Sequence, residues 1–144
     1  VPSIDHIRNT SAILLPLTVI TAAVTNVTTG SITLDTSLAQ ALQLQAKFVY
    51  GSGGTTAKFW VQTSFDAGAT WVDIANFAFT TASLNKIAGV NVFLAATHAT
   101  PTDATLADNT VNNGLLGEMV RVKYTTTGTY ATSTTIEIRA NVKG

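Results

Sequence analysis

The chain contains no cysteine, three prolines and one methionine, and charged residues occupy only 11% of its 144 positions. Without thiols it can form no disulfide, no thiolate metal site and no thiol nucleophile, so its stability has to come from packing. The formal net charge is zero and the few Lys and Arg are scattered. No basic stripe is available to displace counterions from a phosphate backbone, so nucleic acid is not an expected partner. Long apolar runs are missing as well. The most apolar one, 12–24, is broken by Pro16, Thr18 and Thr21 and is shorter than the ~20 residues of a spanning helix, so no membrane partner is expected. It does not read as a secretory signal, because Arg8 is offset by Asp5 and no small-residue cleavage site follows. Apolar residues at helical spacing are scarce, and only 36–42 and 101–109 could make one or two helical turns.

What the chain does have is β-branched residues and alternation. Apolar residues make up 46% of it, and a chain of this size buries roughly 70% of the surface it exposes when unfolded, enough for one core. Thr, the commonest polar residue, suits a half-exposed strand better than a helix. Leu42, Leu44, Ala46, Phe48 and Tyr50 alternate with Gln43, Gln45 and Lys47; Ile136, Ile138, Ala140 and Val142 alternate with Glu137, Arg139, Asn141 and Lys143. Period two places each apolar set on one face of a strand. Shorter alternations predict inward sets of Phe59, Val61 and Phe65, of Val90, Val92 and Leu94, and of Val120, Val122 and Tyr124, with a short strand opened by Ile32 and Leu34. The stretch 71–79 is apolar at both parities, which predicts a bulge or a strand covered on both sides. Pro16 has no amide donor and predicts an edge position or a bulge for a first strand over 13–20.

Turn residues at 51–54, 66–69 and 127–129 predict hairpins. Eight candidate strands without a long helix predict an all-β fold, a two-sheet antiparallel sandwich that is jelly-roll-like. The predicted organisation is an N-terminal arm, 1–11, and a single sandwich domain, 12–144. Within that domain a long Thr/Asn/Asp-rich loop, 95–116, is either a crossover between sheets or a contact loop.

The sharpest local motif is SFDAGATW, 64–71. Asp66 can accept amides of its own turn, and Gly68 can take a positive φ. Ser64 and Thr70 can bond across the turn entry, while Trp71 covers the hairpin base with one acceptor for its indole N–H. The stretch resembles the Asp-box, S-x-D-x-G-x-T-W, which recurs in sialidases and other β-propellers, and every fixed position is filled. In sialidases the motif lies on blade turns away from the catalytic site. The resemblance therefore implies a structural turn built by Ser64, Asp66, Gly68, Thr70 and Trp71, with a ligand or metal contact as the alternative. A propeller would need further copies at a period of about 40 residues or more, and the motif stands alone.

Catalytic chemistry finds little to stand on. Glycosidic hydrolysis requires two carboxyl groups across a cleft, whereas Asp35, Asp73, Asp103, Asp108, Glu118 and Glu137 form no close motif and read as solvated charges. His6 and His98 lie far apart without metal-ligand spacing. There is no G-x-S-x-G elbow, and the glycines of 51–54 lack the Lys-Ser/Thr tail of a phosphate loop. No catalytic residue, metal or cofactor is expected. Strand parity puts Trp60 on the outward side beside Gln62, so that the two could form a polar-aromatic platform unless a loop or the arm covers it, with Tyr50 as a further candidate contact residue. His98 and Pro101, in the long loop, complete the candidate contact surface.

The central KFWVQTSFDAGATWVDIANF and the terminal TTIEIRANVKG, in a cysteine-free, weakly charged chain, resemble small structural proteins of tailed-phage virions. These are head decoration or cement proteins and related head-fibre and tail accessory proteins. The resemblance implies a non-enzymatic subunit, assembled in the host cytoplasm and placed on the outer capsid surface as a homo-oligomer such as a trimer. There it reinforces contacts between major capsid proteins, with the arm and the loop as expected contact segments. Two other readings stand beside it: a carbohydrate- or receptor-binding module using Trp60 and Tyr50, and a tail or head-completion subunit.

Overall fold

In strand β4 (Ala41–Val49) buried and exposed side chains alternate without interruption, Leu42, Leu44, Ala46 and Phe48 inward and Gln43, Gln45 and Lys47 outward. Strand β11 (Thr135–Lys143) repeats the pattern and pairs with it antiparallel, giving that sheet one apolar and one polar face. The computed structural model describes residues 9–34, 39–93 and 100–144, and every regular element among them is a strand. The others are β1 (Asn9–Val19), β2 (Val24–Thr28), β3 (Ile32–Thr33), β5 (Ser52–Gly53), β6 (Thr56–Ser64), β7 (Val72–Phe79), β8 (Leu84–Asn91), β9 (Met119–Thr127) and β10 (Tyr130–Ala131). They make two main antiparallel sheets, β1-β11-β4-β8 and β2-β9-β6-β7 with β3 also on β9, and a small β5-β10 patch.

Among the eight strands of five or more residues the pairing is nested: β1 with β11, β2 with β9, β4 with β8, and β6 with β7. The chain is a long double ribbon closed at the β6–β7 turn and rolled up until β11 also meets β4 and β9 also meets β6. This is the jelly-roll form of the expected sandwich. Between the sheets Phe48 stacks on Phe79, ring centroids 4.8 Å apart, while within one sheet Phe59 stacks on its cross-strand partner Tyr124 at 5.5 Å. Tyr130 packs edge-on against Phe48, and its buried hydroxyl donates to the Thr80 carbonyl at 2.8 Å.

Several details differ from expectation. The segments 51–54 and 127–129 are not hairpins, because β4 and β6 lie in different sheets, as do β9 and β11. Both cross between sheets, and β5 pairs with β10 where the crossings run side by side. Strand β2 is new: Asn26 at φ 52° and a register shift between Val24 and Val27 break its alternation. Strand β8 begins earlier than 90–94, Val92 is exposed, and Leu94 lies outside the described residues. The stretch 101–109 forms no helix. Of the arm, Asn9 to Ser11 belong to β1 and 1–8 lie outside the described residues. Pro16 does sit in an edge strand, where two register shifts interrupt the pairing. Strand β7 is covered on both sides, and a bulge separates the pairs Val61–Ala75 and Gln62–Asp73.

Candidate functional site

The β6–β7 turn is held by two side chains. The Ser64 hydroxyl donates to Asp66 Oδ1 at 2.9 Å and accepts the Gly68 N–H at 2.8 Å. Asp66 takes the Thr70 amide on Oδ1 at 2.8 Å and the Thr70 hydroxyl on Oδ2 at 2.7 Å. These Thr70 bonds lead in holding the Asp66 carboxyl below its ordinary pKa. Gly68 has φ 90°, and its carbonyl accepts the Trp71 indole N–H at 3.0 Å. The neighbouring segment locks on from outside: Glu118 Oε1 accepts the Ala67 amide at 2.8 Å. Gly117 passes so close to Ser64 that a Cβ there would lie 2.1 Å from the Ser64 carbonyl oxygen. Every polar atom of the Asp66 carboxylate is thus engaged by the turn itself.

The expected aromatic platform is absent. Trp60 is only 7% exposed and Gln62 is fully buried, because the loop after β8 folds over the outer face of the β6–β7 sheet. The loop carbonyl of Leu106 accepts the Trp60 indole N–H at 3.0 Å. The same loop pairs with the free edge of β7, through Asp73 N–H to Thr102, Asn76 N–H to Thr110, Asn112 N–H to Ile74 and a bridge between Ala75 and Val111. An open sheet edge is thereby closed. Tyr50 is not brought to Trp60; it packs against the core at the crossing end and donates its hydroxyl to the Gly53 carbonyl. Pro101 is exposed, and His98 lies outside the described residues.

Under the loop lies a polar cluster that sequence reasoning missed. Asp73, expected as a solvated charge, is 0% exposed. Its carboxylate accepts the amides of Ala104, Thr105 and Leu106 at 2.9–3.1 Å and Gln62 Nε2 at 2.9 Å. Gln62 Nε2 also donates to Asp103 Oδ1, and Gln62 Oε1 accepts Arg121 Nε at 2.8 Å. Lys123 Nζ reaches Asp103 at 2.9 Å, and the Arg121 guanidinium lies 4.2 Å from the centre of the Trp71 ring. Burial opposes ionisation of Asp103, but bonds from Lys123 and Gln62 and the charges of Lys123 and Arg121 hold its carboxyl below the ordinary value. Desolvation pulls the Arg121 pKa down, against the Asp103 charge. One signal was available: a carboxylate inside a stretch apolar at both parities has to be buried and bonded.

Asp108 pairs with Lys58, and Glu137 with Arg139, on the surface. Asp35 and His6 lie outside the described residues. No group of three or more His, Cys, Asp or Glu among the described residues could hold a metal ion. Phe65, expected inward, is 57% exposed, because β6 ends at Ser64 and strand parity stops there. It shares an open cleft of about 280 Å³ with Ala39, Leu116, Gly117 and Glu118. Phe93, 70% exposed, and Val92 lie at the same end of the roll, where Val92 N–H meets Gln40 and Gly114 N–H meets Asn91. Compared with family models, curated proteins and solved structures, the chain finds no match.

Proposed function

We propose that the protein is a non-enzymatic virion subunit that decorates the outer capsid surface and reinforces contacts between major capsid proteins. The observation supporting this reading is the end of the roll where the closed β6–β7 turn, the start of β4 and the end of β8 converge. Phe65 stands in solvent there on a turn whose own hydrogen bonds are satisfied, and Val92 and Phe93 stand in solvent just past the end of β8. A rigidly mounted aromatic such as Phe65 suits the anchor role in an interface, since little ordering entropy remains to be lost. The contact region moves accordingly: the loop residues 100–114 are committed to covering their own sheet, and the roll end takes their place. On the edge strand β1, Ile13, Leu17 and Val19 form a second exposed apolar strip, suited to like subunits in a symmetric oligomer. The carbohydrate reading rested on a stacking surface at Trp60, which lies under Leu106.

Co-sedimentation with expanded capsid shells tests the proposal. The double variant Phe65→Ser, Phe93→Ser changes only exposed side chains and is expected to fold while losing about a hundredfold in affinity, as two lost anchors would give. Retention of full binding by the folded double variant would remove the roll end from the account, and failure of the parent protein to sediment with shells would remove the decoration role.

A further inference from the structure

Where the edges of β7 and β8 approach, at the side of the roll, lies a cavity of about 470 Å³. Phe77, Ile87 and Val111 supply apolar wall, and Asn76, Lys86 and Asn109 the polar groups. That size falls within the range of small-molecule sites, roughly 300–1,000 Å³.

Its hydrogen-bond donors are not used up. Asn76 is 2% exposed, and its Oδ1 accepts the Asn109 N–H at 2.9 Å, which fixes the orientation of the amide. Nδ2 of the same side chain has no partner among the described residues and is enclosed rather than open to the cavity. Lys86 Nζ donates to Asn109 Oδ1 at 2.8 Å and to the Ala78 carbonyl, leaving one of the three ammonium donors unassigned. Asn109 therefore links Lys86 to Asn76 and holds the ammonium in place. Lys86 makes no ion pair among the described residues, its Nζ lying 4.9 Å from the centre of the Phe79 ring; Asp108, whose charge acts on it, is bound to Lys58 at 3.1 Å. Desolvation leads in pulling the Lys86 pKa down, with Asp108 opposing. A partly buried cation without a counter-ion costs free energy until an anionic acceptor arrives.

We propose that this cavity binds a carboxylate carried on a short aliphatic chain, a carboxylate oxygen meeting Lys86 and the chain lying against Phe77, Ile87 and Val111. A free branched acid and the C-terminal leucine of a peptide present the same chemistry. The full chain, labelled with nitrogen-15, would be titrated by NMR with 4-methylpentanoate, with 4-methylpentanamide, and with acetyl-Gly-Gly-Leu as acid and as amide. Saturable shifts at the Asn76, Ile87, Asn109 and Val111 amides are expected with the acids, and about tenfold weaker binding with the amides, the loss of one charge-assisted bond. Lys86→Met keeps the apolar stem and should abolish the preference for acid over amide. Tighter binding of the peptide acid than of the free acid would identify a chain end as the source, and the reverse a small molecule. Absence of saturable shifts, or equal affinity for acid and amide in the unaltered protein, overturns the proposal without reference to any variant's stability.

Discussion

Asp73→Asn removes almost no volume, yet it turns one oxygen of a buried carboxylate into an amide NH2 facing backbone N–H groups. Three loop amides converge on this side chain, so the substitution should cost about 2–4 kcal/mol, read from urea unfolding. A cost near zero would mean that water replaces the carboxylate, which its complete burial argues against. The two exposed-side acids act through pH instead. Asp66 and Asp103 both have pKa values lowered from 3.8 by the fold. Above that value both are ionised, folded or unfolded, and their contribution is fully present. As the pH falls below it the unfolded chain takes up protons first, and the contribution is lost by the time the folded pKa values are passed. Urea midpoints at about pH 6 and about pH 3 should therefore fall less in Asp103→Asn than in the parent protein. A parallel fall in both would remove Asp103 as a source of acid sensitivity.

The covering loop is the element that most changes the reading of the surface. It closes the β7 edge with backbone bonds and the outer face with Leu106 and the Asp73 cap. Replacing 103–109 by a Gly/Ser linker should expose Trp60, shift its emission to the red and raise its quenching by acrylamide, while Trp71 changes little. Unchanged quenching would mean that something other than this loop shields the ring. Why the covering was not legible follows from its physics. Strand parity correctly set Trp60 opposite Phe59, but parity reports which face a side chain takes and not what later lies on that face. The loop's own residues, Thr102 to Thr110, have no periodicity because they are held by tertiary bonds to Asp73, Asn76 and Trp60. In contrast, β4 and β11 were readable residue by residue, since each is buried on one face only. The bulge at Asn26 breaks the alternation that would reveal strand β2, and an inward Phe65 extends the period past the strand that generates it.

For the whole molecule, the nested pairing explains why a turn motif known from propellers serves here without a propeller. The SFDAGATW turn is the closed end of the ribbon from which the roll is wound. The same topology brings the exposed aromatics beside that turn and leaves the sheet crossings, with Tyr50 and Tyr130, at the far end. On the edge strand, Leu17→Lys should lower the oligomeric state in light scattering; a parent protein that is monomeric at high micromolar concentration would remove the β1 strip from the account. The most direct measurement is amide hydrogen exchange of the protein free and bound to expanded capsid shells. The account predicts new protection at 64–71 and at Val92 and Phe93, with none at 51–54 or 127–134. Protection confined to the crossing end, or no change anywhere, would contradict it.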